Sequence, residues 1–223
     1  MTRIIMIRHG QSLANAEHRF AGHSDFDLSE LGRAQAAAAA EHLYGVEKEK
    51  VDVIYSSDLL RAHNTALPFA KKYGLAINDT EELREIYAGA WEGLAVSEIE
   101  ERFGRDFDVW KNDFSNSRCT DGEAVSELYE RIVASVCRIA RDNGGKTVLL
   151  ATHATPVRAI ECYSQGKSGN EIHTVTFLRN AAMSIFEYDP ADNSIRPIRT
   201  NIEDHLSLAL QTTATPIEKN SRQ

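Results

Sequence analysis

Short apolar runs alternate along the chain with longer segments whose apolar positions recur at helical spacing. The short runs are bounded by charged, polar or glycine residues, a pattern typical of buried strands. Strands are predicted at 4–7, 51–55, 147–151, 174–178, 182–188 and 194–199. The first three are the most apolar, and we expect them at the centre of a sheet.

The longer segments carry start and stop signals of helices. Helices are predicted at 30–44, 58–73, 123–142 and from just past 153 to before 166, with one or two short helices within 95–118. Ser29 and Asp58 can cap the first two helices, and Gly74 follows the second, where a left-handed residue ends many helices. Residues 83–93 carry glycines and aromatic residues and are predicted to be mostly loop.

Alternation of strands with helices predicts the α/β class. We expect a three-layer sandwich in which helices flank a mostly parallel central sheet. The sequence shows no internal repeat and no long linker. Residues 1–210 are therefore predicted to form a single domain, followed by a polar tail at 211–223.

Composition and charge narrow the class of partner. The 223 residues include 42% hydrophobic ones and carry a formal net charge of −8. An acidic protein lacks the basic face that nucleic acid or an anionic membrane surface requires. It can still bind a small phosphorylated substrate, because a few clustered arginines make a local positive pocket. A homodimer is left open.

The cysteines and the amino-terminal sequence indicate the cellular compartment in which we expect the protein. Cys119, Cys137 and Cys162 lack metal-binding spacing, so we expect reduced thiols in the cytoplasm. The chain shows no secretory leader, and no stretch reaches the roughly 18–20 apolar residues of a membrane span. No metal or other cofactor is expected.

Candidate chemistry lies where the predicted strands end. His9 follows the strand at 4–7, and His153 follows the strand at 147–151. Ligands of parallel α/β sheets bind at the carboxyl ends of the strands. Arg8, beside His9, and Gly10, after it, favour an anion site, since glycine lets the backbone approach a ligand.

The motif order then identifies a resemblance. Arg8-His9-Gly10-Gln11-Ser12 with Asn15, a segment containing Gly22, and single residues at Arg61, Glu85 and His153 occur in sequence. Over about residues 3–205, this order resembles the histidine phosphatase, or phosphoglycerate mutase-like, superfamily. The resemblance implies the fold of that superfamily and a phosphohistidine intermediate.

The resemblance also implies a role for each site residue. His9 would be the nucleophile, and Glu85, rather than Glu81, Glu82 or Glu92, the general acid. The catalytic set would be completed by Arg8, Arg61 and His153. Phosphate would be bound by Arg8, Asn15, Gly22, Arg61 and His153, without a metal.

Within this family, the chain looks more like a phosphatase than a mutase. Only 68 positions separate Glu85 from His153, whereas the mutases carry a longer insertion there that encloses the substrate. We therefore expect a phosphomonoester hydrolase that acts on a small phosphorylated metabolite. A cofactor-dependent phosphoglycerate mutase and an inert binding domain on the same fold are the alternatives. The roles of His23 and of residues 95–122 in specificity are left open.

Overall fold

A six-stranded mixed sheet forms the centre of the protein. The computed structural model describes residues 1–212, and its strands are β1 (Thr2–Arg8), β2 (Val53–Ser57), β3 (Ile77–Thr80), β4 (Thr147–Thr152), β5 (Met183–Asp189) and β6 (Ser194–Ile202). Their order is β3-β2-β4-β1-β5-β6. The first four strands of this order are parallel, β5 is antiparallel to β1, and β6 is antiparallel to β5. The mostly parallel sheet is confirmed.

Helices connect successive strands except β5 and β6, which are joined by a turn. The α-helices of the described residues are α1 (Leu13–Ala16), α2 (Glu30–Glu41), α3 (Leu60–Tyr73), α4 (Val96–Arg102), α5 (Gly104–Asn112), α6 (Val125–Asp142) and α7 (Ala154–Ser164). Short 3₁₀ turns occur at Glu81–Leu83, Gly89–Trp91, Phe114–Asn116, Gly169–Thr174 and Leu208–Leu210, and a π-helical turn, His42–Val46, follows α2. None of the helices within residues 1–212 is long and apolar enough to cross a membrane.

The central strands direct alternate side chains into two buried clusters, one on each face of the sheet. On β1, Ile4 and Met6 join one cluster, and Ile5 and Ile7 join the other. Apolar side chains of α6 and α7 complete the first cluster, and those of α2 and α3 complete the second. This alternation follows from the two-residue period of a strand. The result is the expected three-layer arrangement.

Two of the predicted helix signals are confirmed and one is wrong. Ser29 Oγ accepts a hydrogen bond from the Gly32 N–H at 3.1 Å and caps α2. Gly74 ends α3 with a φ of +67°, a conformation that costs glycine little. Asp58 does not cap α3, which has Leu59 at its N-cap. The Asp58 carboxylate accepts a hydrogen bond from Arg84 Nε at 2.7 Å instead.

The strand prediction at 174–178 is also wrong. Backbone carbonyls in this segment accept hydrogen bonds from arginine side chains: Val175 from Arg158 Nε at 2.9 Å, and Leu178 from Arg8 Nη1. Strand β3 was not among the predicted strands. Of its four residues only Ile77 is strongly apolar, because β3 is an edge strand with no fully buried position.

The carboxyl-terminal end of the described chain packs on the domain. Leu210 accepts a hydrogen bond from Gln35 Nε2 at 2.7 Å through its carbonyl, and Thr212 Oγ1 contacts Asn180 Oδ1 at 3.2 Å. The remainder of the predicted tail, residues 213–223, lies outside the described residues.

Candidate active site

Two adjacent parallel strands bring the two candidate histidines together. Arg8 of β1 is in register with Thr152 of β4, so the next residues, His9 and His153, leave the same edge of the sheet. The His9 N–H donates to the Thr152 carbonyl at 2.8 Å. The two imidazole rings meet edge to face, with centroids 5.1 Å apart.

His9 is held in one orientation. Its Nδ1 lies 2.7 Å from the Gly10 carbonyl oxygen, which can only accept a hydrogen bond. We therefore assign the proton to Nδ1, which leaves the lone pair on Nε2. Burial lowers the pKa of His9 well below its usual value, and the charges of Arg61 and Arg8 lower it further. The neutral imidazole is thus the favoured form.

His153 lies beside His9 rather than on the cavity wall. It is fully buried, and its Nε2 is 2.9 Å from Ser57 Oγ. Its Nδ1 is buried and has no hydrogen-bond partner among the described residues. Burial lowers its pKa well below the usual value, and Arg61 and His9 contribute further.

Two buried guanidinium groups flank His9. Arg8 donates through Nη1 to the Leu178 carbonyl and lies over the Phe177 ring at 4.8 Å. Burial lowers the pKa of Arg8, and likewise that of Arg61, to about 10, so both stay charged at neutral pH. The Nε atom of each is buried without an acceptor in the described part of the chain. Because buried donors are normally paired, these two atoms favour an anionic ligand.

Gly22 and Asn15 are the remaining predicted phosphate-binding residues. Gly22 lines the cavity with a φ of +50°, and its carbonyl accepts from Arg61 Nη2 at 2.6 Å, so it holds the arginine in place. Asn15 Oδ1 accepts from the Ser12 N–H at 3.2 Å and from Asn180 Nδ2 at 3.1 Å. This arrangement leaves the Asn15 amide nitrogen as the donor for a ligand.

Of the four glutamates weighed from the sequence, only Glu85 lines the cavity. Its Oε1 accepts from the Ile86 N–H at 2.9 Å. Glu81 and Glu82 form ion pairs with Arg84 and Arg138.

Glu85 is also oriented by α7, whose Thr155 N–H lies 3.3 Å from its Oε2. Glu92 serves a different purpose, because its carboxylate accepts backbone hydrogen bonds from His23, Ser24 and Ala88 at 2.6–2.9 Å. The His23 ring contacts the Glu85 carbonyl at 2.9 Å through Nε2.

A cavity of about 480 Å³ adjoins these groups. Its lining includes Arg8, His9, Asn15, Arg61 and Glu85. Helices α4 and α5, which lie within the segment 95–118 where short helices were predicted, also line the cavity. The arrangement can bind a phosphate ester and present its phosphorus to His9.

A sequence profile of the histidine phosphatase superfamily (branch 1) matches residues 4–201. This span includes every group described above. The chain belongs to the histidine phosphatase superfamily. The family expected from the order of the sequence motifs is therefore confirmed.

Three similar proteins are named as phosphatases. Phosphoserine phosphatase 1 of Hydrogenobacter thermophilus is 31% identical over 206 residues, which cover 92% of this chain and 95% of that protein. A metal-independent phosphoserine phosphatase of Arabidopsis thaliana is 33% identical over 81% of this chain and 78% of that protein. A mycobacterial glucosyl-3-phosphoglycerate phosphatase, solved with VO3, has a TM-score of 0.78 at 27% identity and covers 89% of this chain and 98% of its own.

Several supporting residues of this superfamily member escaped the sequence analysis. Thr65 Oγ1 accepts from the Gly10 N–H at 3.0 Å and donates to the Arg61 carbonyl at 2.7 Å. The available sequence signal was that Thr65 follows Arg61 by four residues in a predicted helix, which places both on one face. Asn180 and Ser57 carried no such signal, because their partners Asn15 and His153 are distant in sequence.

A separate group of possible metal ligands lies outside the cavity lining. Ligand atoms of His42, Glu47 and Asp204 lie within 4.8 Å of one another. Arg199 donates to Glu47 at 2.8 Å and to Asp204 at 3.2 Å. Both carboxylates are therefore already paired with a cation, and the group does not favour a metal.

Proposed function

We propose that the protein hydrolyses phosphomonoesters of small metabolites through a phosphohistidine intermediate on His9. One observation carries the proposal: a neutral histidine, two buried arginines and a glutamate line the same cavity. The names of the phosphatase relatives support the same reaction class. We further propose that residues 1–210 act as one catalytic domain in the cytoplasm.

In the first step, the Nε2 lone pair of His9 attacks phosphorus in line with the ester oxygen. The P–N bond forms as the P–O bond to the leaving alcohol breaks. Arg8 and Arg61 hold the non-bridging oxygens, and fixed donors in a buried site stabilise transition-state charge more strongly than water does. His153 supports His9 through its edge-to-face contact, and Asn15 donates to a phosphate oxygen.

Glu85 moves the protons. The protonated carboxyl transfers its proton to the leaving oxygen in the first step. In the second step the resulting carboxylate takes a proton from water as the water oxygen attacks phosphorus and the P–N bond breaks. Inorganic phosphate leaves, and both His9 and Glu85 return to their starting forms.

Hydrolysis of the phosphohistidine is favoured over transfer of its phosphoryl group to a phosphoglycerate. The short span from Glu85 to His153 and an open cavity let water reach the phosphohistidine. The two guanidinium charges take the place that a metal ion has in other phosphotransferases, so a metal is not needed.

A panel of phosphomonoesters tests the proposal. Purified full-length protein should release inorganic phosphate from at least one ester, with activity unchanged by excess chelator and inhibited by vanadate. The panel includes 3-phosphoglycerate together with its bisphosphate. Faster formation of 2-phosphoglycerate than of free phosphate would make the protein a mutase. Failure to turn over any ester would favour the inert binding domain.

A further inference from the structure

Arg131 of α6 holds its guanidinium group against the backbone of the segment that carries Glu85. Its Nη1 donates to the carbonyls of Glu82 and Arg84 at 3.0 and 3.2 Å, and its Nη2 donates to the carbonyl of Glu85 at 3.3 Å. We propose that Arg131 is a positioning residue that fixes the backbone of the general acid, so that the Glu85 carboxyl is held on the cavity wall. The inference rests on the proposed function, because it takes proton transfer by Glu85 as its starting point.

The Glu123 carboxylate fixes Arg131 in this orientation. Arg131 Nε donates to Glu123 Oε1 and Arg131 Nη2 donates to Glu123 Oε2, both at 2.9 Å. Together with the three bonds to carbonyls, this bidentate pair uses all five N–H groups of the guanidinium. The side chains of Arg131 and Glu123 are only 28% and 14% exposed. The guanidinium is therefore held more firmly than that of a fully exposed ion pair.

Glu123 also fixes the segment on the other side of Glu85. Its Oε2 accepts from the Tyr87 N–H at 3.1 Å, and its own N–H donates to the Tyr87 carbonyl at 2.8 Å. Residues 84–88 belong to no helix or strand, so hydrogen bonds within a regular element do not fix them. The pair of Arg131 and Glu123 supplies hydrogen bonds to the backbone before, at and after Glu85.

The position of the Glu85 carboxyl depends on this backbone. Its two oxygens lie 2.9 Å from the Ile86 N–H and 3.3 Å from the Thr155 N–H. The first donor moves with the segment, whereas the second belongs to α7. A shift of the segment would therefore move the carboxyl relative to α7 and to the leaving oxygen. A displacement of about 1 Å at a catalytic group can cost about 10²-fold in rate.

Arg131→Gln tests the role on the full-length protein, with phenyl phosphate and 4-nitrophenyl phosphate as substrates. The two esters differ by one nitro group, which makes 4-nitrophenolate the better leaving group and lessens its need for a proton. We expect kcat to fall by about tenfold or more for phenyl phosphate and by about twofold or less for 4-nitrophenyl phosphate. KM should change little, because Arg8 and Arg61 remain to bind the phosphoryl group.

Two further variants show which property of Arg131 matters. Arg131→Lys keeps the charge but has three donors on a flexible stem, so we expect nearly the loss of Arg131→Gln. Arg138→Gln is the matched control. Arg138 lies on the same helix and pairs with the side chain of Glu82, so its removal should leave both rates unchanged.

A double-mutant cycle with Glu85→Gln separates positioning from a general structural defect. If Arg131 acts through Glu85, Arg131→Gln should slow phenyl phosphate hydrolysis no further once Glu85 is replaced, because residues that act as a unit are not additive. An independent defect would multiply the two losses. The same cycle is run on the ester of the phosphomonoester panel that the wild type hydrolyses fastest.

The outcomes separate this inference from the proposed function. Equal losses on the two aryl esters, or multiplied losses in the double variant, would overturn the positioning role alone. Circular dichroism reports whether Arg131→Gln folds. If it does not fold, Glu123→Gln, which keeps the arginine, replaces it in the cycle, and the same two results decide. Absence of phosphate release by the wild type from these esters and from the whole panel would overturn the proposed function and the positioning role with it.

Discussion

Replacing Glu92 with glutamine should loosen the loop that holds Arg61. The Glu92 carboxylate accepts hydrogen bonds from the backbone N–H groups of His23, Ser24 and Ala88, and from Ser24 Oγ, at 2.6–2.9 Å. The carbonyls of Gly22 and Ser24, in the same loop, accept from the Arg61 guanidinium. Glu92 is therefore two hydrogen bonds away from the phosphate-binding arginine.

The size of the expected loss follows from the hydrogen bonds that glutamine cannot accept. Its NH2 group replaces one acceptor oxygen, so at least one backbone N–H loses its partner, and the other bonds lose the help of the charge. Charge-assisted hydrogen bonds contribute about 1.5–3 kcal/mol each. We expect Glu92→Gln to lower the free energy of unfolding by about 2–4 kcal/mol and kcat by about tenfold or more.

Urea denaturation followed by far-UV circular dichroism measures the first effect, and phosphate release measures the second. Glu130→Gln, at an exposed position of α6, is the matched control and should change neither. If Glu92→Gln unfolds at the same urea concentration as Glu130→Gln and keeps full kcat, the role assigned to Glu92 is wrong.

Three further predictions concern titratable groups. Glu85→Gln should slow hydrolysis of an alkyl phosphate by about 10²-fold and that of an aryl phosphate much less, and equal losses would exclude a proton-donor role. In an NMR titration, His9 should stay neutral as the pH falls through about 6.5, the usual histidine pKa, because burial and Arg61 lower its pKa; a midpoint at or above that pH would contradict this. Burial raises the pKa of Glu161 to about 7. The folded state therefore binds more protons than the unfolded state from about pH 4.5 to 7. Because of this difference, the stability of the wild type falls as the pH rises through that window. Glu161→Gln should therefore be more stable than wild type by up to about 3 kcal/mol at pH 8, and should gain little stability at pH 4.5. If urea unfolding gives the same difference in stability between variant and wild type at both pH values, the buried, protonated state of Glu161 is refuted.

The sequence predicted the centre of the fold because the central strands are buried on both faces. Such strands are continuous apolar runs, and both histidines follow them directly. Edge strand β3 lacks a buried face and carried no comparable pattern. The segment at 174–178 is rich in β-branched and apolar residues, yet two of its backbone carbonyls accept hydrogen bonds from arginine side chains. Hydrogen bonding between distant residues overrode local propensity there.

The candidate site was predictable in part. The strand ends indicated His9 and His153. Glu85 was selected over the neighbouring glutamates only by its position relative to the motifs of the family. The structure places Glu85 on the cavity wall, and its catalytic role stays a prediction. Asn180 and Ser57 were not predictable, since each meets its partner only after the chain folds. The contact between Phe20 and Trp110, at 5.2 Å between ring centroids, was hidden for the same reason, because the two residues are far apart in sequence.

Trapping the phosphoenzyme tests the central claim most directly. Full-length protein is mixed with a ³²P-labelled phosphomonoester, quenched within milliseconds in alkali and in acid, and digested to locate the label. We predict a base-stable, acid-labile label on the peptide that contains His9, absent from His9→Ala. Label that persists in His9→Ala, or phosphate release by His9→Ala at the wild-type rate, would contradict the account.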